Sequence, residues 1–366
     1  MMKMKYIIYL FVIASLLVAC NTSNGSGEMQ QRVKPSVKGV SDVDVVNTHG
    51  GVEGIEKMQV FYENIQKGIL SDLRIVHYTT EGDPMVTDIS YNGDTIEVEN
   101  DTTRDTFGSG QVITNTCDNM LVESNPTNIS YIVTDCEGLT YGMDSVLQID
   151  YNMNQQDLFE IELKYGVELE NEINTVSNTM KKVINTQETQ SKNDFELPES
   201  VMQEVYKKLV LMNYLGEKNF QAKCDEEDAT NYQLKVHING GKREFQWTSC
   251  DQSYDGLKLT EIAEYVIQQS GIDQSEMPDV EVQGYVLEIK DNMLVIVEDV
   301  NMLEFEWLKV ELPQNEMNSW IFDFTNLEGV NTDEFKIGDK VYATIQGDIV
   351  GSKPGKAVVN EIKKIN

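Results

Sequence analysis

Apolar positions along this chain fall into one continuous block followed by short runs of period two and period 3.6. The block is Tyr6 to Val18, apolar apart from Ser15. It is short for a membrane span and follows Lys3 and Lys5, the layout of a secretory signal segment. Beyond it, Ile55, Met58, Phe61, Tyr62 and Ile65 recur at helical spacing, with Gly68 as a stop. Leu73 to Tyr78 is strand-like, Gly82-Asp83-Pro84 is a turn, and Asp88–Tyr91 with Thr95–Val98 flank Asn92-Gly93 as a hairpin with a type I′ turn. Gln111–Thr114 and Ser130–Thr134 add further strands.

The same alternation returns later. Phe159 to Leu163 predicts a strand, and Pro198 followed by Val201, Val205 and Leu209 predicts a helix with proline in its first turn. Tyr232–Ile238 and Phe245–Trp247 flank Asn239-Gly240-Gly241 as a second hairpin. Leu259, Ile262, Ala263 and Val266 form one helix face ending at Ser270-Gly271. Leu169, Ile173, Val176, Met180 and Val183 are spaced by four and three, which predicts another helix. After Gly271–Val280, a linker by composition, the pattern is strands: Tyr285/Leu287/Ile289, Leu294–Val297, Val341/Ala343/Ile345 and Val358–Ile362. The expected fold class is therefore multidomain α+β. Two hairpin-rich α+β domains, 43–139 and 140–270, precede a linker at 271–280 and a small OB-like β-barrel at 281–366.

The end of the apolar block changes the picture most. Leu17-Val18-Ala19-Cys20 resembles a bacterial lipobox, in which the cysteine is lipidated and becomes the new N-terminus. Residues 1–19 then form a lipoprotein signal peptide, and Cys20 is the lipid attachment point. The alternative is an ordinary signal peptide that carries a cysteine. Residues 20–42 are rich in Ser, Gly and Asn and read as a flexible tether. A lipid-anchored protein on the extracytoplasmic face of the cell membrane is the expected localisation.

Five cysteines are present. With Cys20 lipidated, Cys117, Cys136, Cys224 and Cys250 remain, and an even number in an exported chain suggests disulfides. Proximity favours Cys117–Cys136 and Cys224–Cys250 among the three pairings, with free thiols as the alternative. No spacing suits a zinc site.

The chain has 366 residues, with 61 Asp and Glu against 29 Lys and Arg, a formal charge of −32. This argues against a nucleic-acid partner. It applies to the C-terminal segment too, where eight Lys or Arg stand against 16 Asp or Glu in 281–366.

Catalytic patterns are missing from the sequence. His49-Gly50-Gly51 has the look of an oxyanion loop, but no Gly-x-Ser-x-Gly elbow accompanies it, and no Walker or Rossmann glycine pattern occurs. Asp88, Ser90, Asn92, Gly93 and Glu99 fit calcium-loop spacing, yet their context alternates as a hairpin where helices would be needed. Asp225 to Asp228 is a run of four acids that reads as a solvated loop. A polar set gathers in the first domain: His49, Arg74, His77, Glu81, Asp83, Asp101, Arg104 and Asp105. If His49, His77, Asp83 and Arg104 converge, they form a polar site for a small ligand or for acid–base work.

Three stretches resemble an uncharacterised family of Bacillus-type lipoproteins. Residues 44–140 carry DVVNTHGGVEG, LRIVHYTTEGDP, DTTRDTFGSG and SYIVTDC. Residues 157–270 carry FEIELKYGVELENEINT, EVYKKLVLMNYL and REFQWTSCD, and 281–366 carry GYVLEI, IGDKVYATIQG and SKPGKA. The resemblance implies two α+β domains of unknown function and an OB-like domain, also of unknown function. It favours extended structure around NEINT over the helical spacing read there. It implies no catalytic residue, cofactor or metal, and none is expected. The expected function is a non-enzymatic binding or interaction protein of the cell envelope. Its partners are the membrane, through the lipid, and an envelope protein or small ligand. A surface hydrolase using the first-domain acids and His77 is the alternative.

Overall fold

The computed structural model describes residues 37, 39–48, 51–185, 187–221, 229–271, 280–311, 322–347, 349–350 and 354–365. Cys20, His49, Cys224 and the Asp225–Asp228 run lie outside them.

The chain begins its first sheet with β1 (Val45–Thr48) and β2 (Gly51–Glu53), then enters helix α1 (Ile55–Gln66). The helix forms where the apolar spacing predicted it, because Ile55, Met58 and Phe61 all bury on one side. It returns the chain to β3 (Ser71–Tyr78), which pairs parallel with β1. From there a meander of β4 (Pro84–Tyr91), β5 (Ile96–Asp101), β6 (Val112–Ser124), β7 (Asn128–Cys136) and β8 (Met143–Asp150) completes an eight-stranded sheet, ordered β2-β1-β3-β4-β5-β6-β7-β8. One face carries the core, including Ile75, Ile89, Val98, Tyr131 and Leu147, and α1 packs on it. Cys117 and Cys136 stand opposite each other in the β6–β7 ladder and form a disulfide.

The second sheet comprises β9 (Phe159–Gly166), β10 (Asn171–Asn174), β11 (Thr179–Asn185), β12 (Glu188–Asn193), β13 (Asn231–Ile238) and β14 (Gly241–Thr248). Its order is β12-β11-β10-β9-β13-β14, and every pair is antiparallel. Helices α2 (Glu199–Leu211) and α3 (Tyr254–Ser270) share its core. Ser253 caps α3 by accepting the Gly256 N–H. Helix α2 serves two cores: Val201, Val205 and Leu209 join the second, while Tyr206 and Val210 join the first. An edge-on contact of Tyr206 with Phe159 at 5.1 Å lies on the same seam.

The last strands are β15 (Val280–Lys290), β16 (Met293–Glu298), β17 (Phe324–Glu328), β18 (Lys340–Ile345) and β19 (Gly355–Lys364), with helix α4 (Met302–Glu311) between β16 and β17. They close into a five-stranded barrel ordered β15-β16-β17-β19-β18, with β17 and β19 parallel. Gly284 lets β15 approach β16 closely, since a Cβ there would stand 2.2 Å from the Val297 carbonyl oxygen. The barrel meets the first sheet through polar contacts. Asn125 donates to the Val300 carbonyl, and Asn301 donates to Gln148 Oε1 at 2.9 Å.

The expected α+β class is overturned. Of the described residues, strands make up 48% and helices 19%, so the protein is β-rich, built of curled sheets and a closed barrel. The difference has two physical sources. The helical spacing of Leu169 to Val183 is a coincidence of two strands: Ile173 and Met180 face each other across the β10–β11 ladder, and Leu169 and Asn178 adopt positive φ beside the reversals. Several further strands are too polar to show alternation. All six residues of β12 are exposed, and its place is set by the ladder to β11.

Both expected hairpins form, and the type I′ turn expected at Asn92-Gly93 occurs at the other one. Asn239 and Gly240 both have positive φ and join Ile238 to Gly241, a two-residue turn of type I′. Asn92-Gly93 instead belongs to a four-residue loop between Tyr91 and Ile96, in which Asn92 Oδ1 accepts the N–H groups of Asp94 and Thr95.

Candidate functional site

Of the residues expected to converge, His49 lies outside the described residues, and each of the others has local partners. His77 lies in β3, paired with Asn47 on one side and Met85 on the other. Burial lowers its pKa, and a hydrogen bond to the Val146 backbone works the other way. Asp83 accepts the Thr106 N–H at 2.8 Å, and its pKa is lowered by that bond and by the Thr106 hydroxyl. Arg104, in the same loop as Thr106, pairs with Asp101 at the end of β5. Asp83 and Arg104 thus help to order one loop. Among the described residues, no hydrogen bond or ion pair joins either of them to His77.

A different set does converge, on the face of the first sheet away from the core. Strands β3, β4 and β5 lie side by side, and their core-facing residues are Leu73, Ile75, Ile89, Ile96 and Val98. Period two then places Asp72 and Arg74, Asp88 and Ser90, and Glu97 and Glu99 on the other face. The register aligns them in two rows: Arg74–Asp88–Glu99 and Asp72–Ser90–Glu97. Together with Asp42 and Asp44 they line a concavity of about 520 Å³.

The electrostatics are unequal. Asp88 and Glu99 are directly opposite, a like-charge pair that weakens a sheet. Arg74 offsets this by gripping Asp88 with two bonds, Nε to Oδ1 at 2.6 Å and Nη2 to Oδ2 at 2.8 Å. The hydrogen bond to Asp88 is the main reason its own pKa is raised, against burial. The remaining guanidinium nitrogen donates to the Ser41 carbonyl at 3.0 Å, and the Arg74 N–H donates to Asp44. The segment before β1 is thereby laid along the rim. Lys57 pairs with Asp44 at 3.4 Å. Among the described residues no ion pair neutralises Asp72, Glu97 or Glu99. The concavity therefore holds surplus negative charge around one guanidinium that is already engaged, which suits a cationic group. Among the described residues no three His, Cys, Asp or Glu side chains are placed to hold a metal ion.

Part of this set was visible in the sequence: Arg74 belonged to the polar group, and Asp88, Ser90 and Glu99 to the calcium spacing. Asp72 and Glu97 were missed. Their signal was the shared parity of 72/74, 88/90 and 97/99 on three consecutive strands. A second missed feature is His237 on β13, whose Nε2 meets Glu162 Oε1 at 2.8 Å, with Lys235 at 3.5 Å from the same carboxylate.

Of the cysteines, Cys117 and Cys136 are paired as proximity suggested. Cys250 is held in a disulfide, and its expected partner Cys224 lies outside the described residues.

Comparison with known families gives two matches. Residues 42–132 match a domain of unknown function (DUF4362), and residues 283–366 match a protein of unknown function (DUF3221). No curated protein matches the chain. Domains of unknown function thus occupy both stretches, and the acid-lined concavity falls inside the first.

Proposed function

We propose that this chain is a non-enzymatic binding protein of the cell envelope, held at the extracytoplasmic face of the membrane by lipid on Cys20. In this reading the concavity on β3–β5 takes a cationic group of an envelope protein or small ligand. The observation that carries it is the alignment of Asp72, Glu97 and Glu99 around a concavity without a neutralising partner among the described residues. The anchor rests on the Leu17–Cys20 pattern and the polar segment after it. A hydrolase working through His77 has less support, because no hydrogen bond or ion pair among the described residues links His77 to Asp83 or Arg104.

Titration with hexalysine at low ionic strength tests the binding reading. The expected result is salt-sensitive binding, weakened at least tenfold in a D72N/E97Q/E99Q variant. Absence of binding, or equal binding by the variant, overturns it. Intact-mass analysis of the protein from its native membrane tests the anchor. A diacylglyceryl cysteine at residue 20 is expected, and an unmodified Cys20 overturns it.

A further inference from the structure

Strand β12 ends the second sheet, with β11 on one side and no strand on the other among the described residues. All six of its residues are exposed, so both faces and the outer edge are open to water. Such an edge is a template for another strand unless its side chains prevent pairing. The sequence along it is Glu188-Thr189-Gln190-Ser191-Lys192-Asn193.

We propose that β12 pairs antiparallel with β12 of a second copy of this chain, about a two-fold axis at Gln190. A two-fold axis perpendicular to a sheet puts residue i opposite residue j on the same face, with i + j constant and even. With Gln190 opposite itself, Glu188 stands opposite Lys192 of the second copy, and Lys192 opposite its Glu188. Thr189 stands opposite Ser191 in the same way. Every cross-strand pair from 188 to 192 is then favourable: two opposite-charge pairs, two hydroxyl pairs and one amide pair. Glu188 accepts only a long 3.4 Å bond from Asn185, and Lys192 has no ion pair among the described residues, so both are available.

The order of charges also rejects the neighbouring arrangements. An axis at Ser191 puts Lys192 opposite Gln190 and removes both charge pairs. Parallel pairing sets Glu188 beside Glu188 and Lys192 beside Lys192. Charged residues on an edge ordinarily deter association. Here their order leaves one register open, which is specificity by exclusion. The result joins two six-stranded sheets into one continuous sheet. The contact is small, so the dimer is weak and reversible.

Crosslinking of the full chain in its native membrane tests the pairing. Opposed residues in antiparallel strands lie ~4.5–5.5 Å apart at Cα, within disulfide range. Q190C is therefore expected to form a disulfide-linked dimer under mild oxidation, with the 190–190 link identified by mass spectrometry. L257C, exposed on α3, is the control and is expected to stay monomeric. Adding K192E to Q190C creates two Glu–Glu oppositions, and the crosslinked fraction is expected to fall roughly tenfold. Adding E188K as well restores opposite-charge pairs and is expected to recover the dimer. All substitutions lie at exposed positions, and an unchanged melting temperature verifies the fold. No Q190C dimer, or a crosslinking yield indifferent to the charge reversal and its rescue, overturns the proposal.

Discussion

Glu123 on β6 and Lys340 on β18 face each other at 3.6 Å, with side chains only 10% and 9% exposed. Between them they join the first sheet to the barrel. Glu123 also accepts the Met302 N–H at 2.7 Å and the Tyr285 hydroxyl. Burial lowers the Lys340 pKa, and Glu123 is the main influence opposing it. Removing one member of a buried pair costs far more than the pair contributes, because the other charge is left without compensation. Asp299 remains near Lys340 as a second negative group, which limits that loss. Glu123→Ala is expected to destabilise the protein by about 2–4 kcal/mol in urea unfolding. The E123L/K340M double variant is expected to lose less than the two single variants added together. Equal additivity would show that the two groups act independently.

The same junction makes stability depend on pH. Burial is the main cause pushing Glu298 up to about 7, with Asp299 and Asp323 adding repulsion and Thr325 opposing. Asp299 is pushed up to about 6 by burial, with Asp323 raising it further and Thr127 and Lys340 opposing. Unfolded carboxyls titrate near 4. Below that both states carry the proton, and the folded state is not penalised. As pH rises through 6 and 7, the unfolded chain has already released protons that the folded chain retains, so stability falls. Glu298→Gln removes the larger part of this fall. The variant is expected to exceed the parent by about 1–3 kcal/mol at pH 8, with a smaller difference at pH 5. Urea midpoints at the two pH values check it, and a difference that does not grow with pH would refute it.

What the sequence revealed follows from where side chains meet the core. Helices α1, α2 and α3 were legible because Ile55/Met58/Phe61, Val201/Val205/Leu209 and Leu259/Ile262/Val266 each bury one stripe. Strands β5 and β13 were legible because one face is buried and the other is not. Strands β11 and β12 have almost no buried face, so their apolar and polar residues obey no period. The concavity was half visible for a related reason. Its acids are the solvent face of strands whose apolar face could be read, but the register that aligns Asp72, Ser90 and Glu97 is a property of the ladder. Asp83 and Arg104 have the chemistry of a site, and they spend it on the loop between β5 and β6.

The Cys117–Cys136 disulfide closes a separation of 19 residues between paired strands. In the chain-entropy account a loop of this size contributes ~3 kcal/mol by restricting the unfolded ensemble. C117S/C136S is expected to lower stability by about that amount while preserving the sheet. Both positions are buried, so serine hydroxyls there add a small penalty of their own. Because Cys250 is also held in a disulfide, comparing the oxidised and reduced forms of a C224S/C250S variant separates the two contributions. A reduced form as stable as the oxidised one would show that the Cys117–Cys136 bond does not constrain the unfolded chain.

Gly54 and Gly68 flank α1, and both have positive φ, 80° and 68°. They differ in what surrounds them. A Cβ at Gly54 would stand 2.1 Å from the Asp44 carbonyl oxygen, whereas nothing lies within 4 Å of one at Gly68. Gly68→Ala should therefore cost only the left-handed conformation, ~1 kcal/mol. Gly54→Ala must also displace the backbone of Asp44. That residue donates its N–H to the Arg74 carbonyl and accepts the Arg74 N–H through its carboxylate, so the displacement reaches the rim of the concavity. The expected cost is above 2 kcal/mol, with hexalysine affinity falling in Gly54→Ala and staying unchanged in Gly68→Ala. Thermal unfolding and the same peptide titration read both effects. If the two variants lost equal stability, the close approach of α1 to the segment before β1 would not be what demands glycine at position 54.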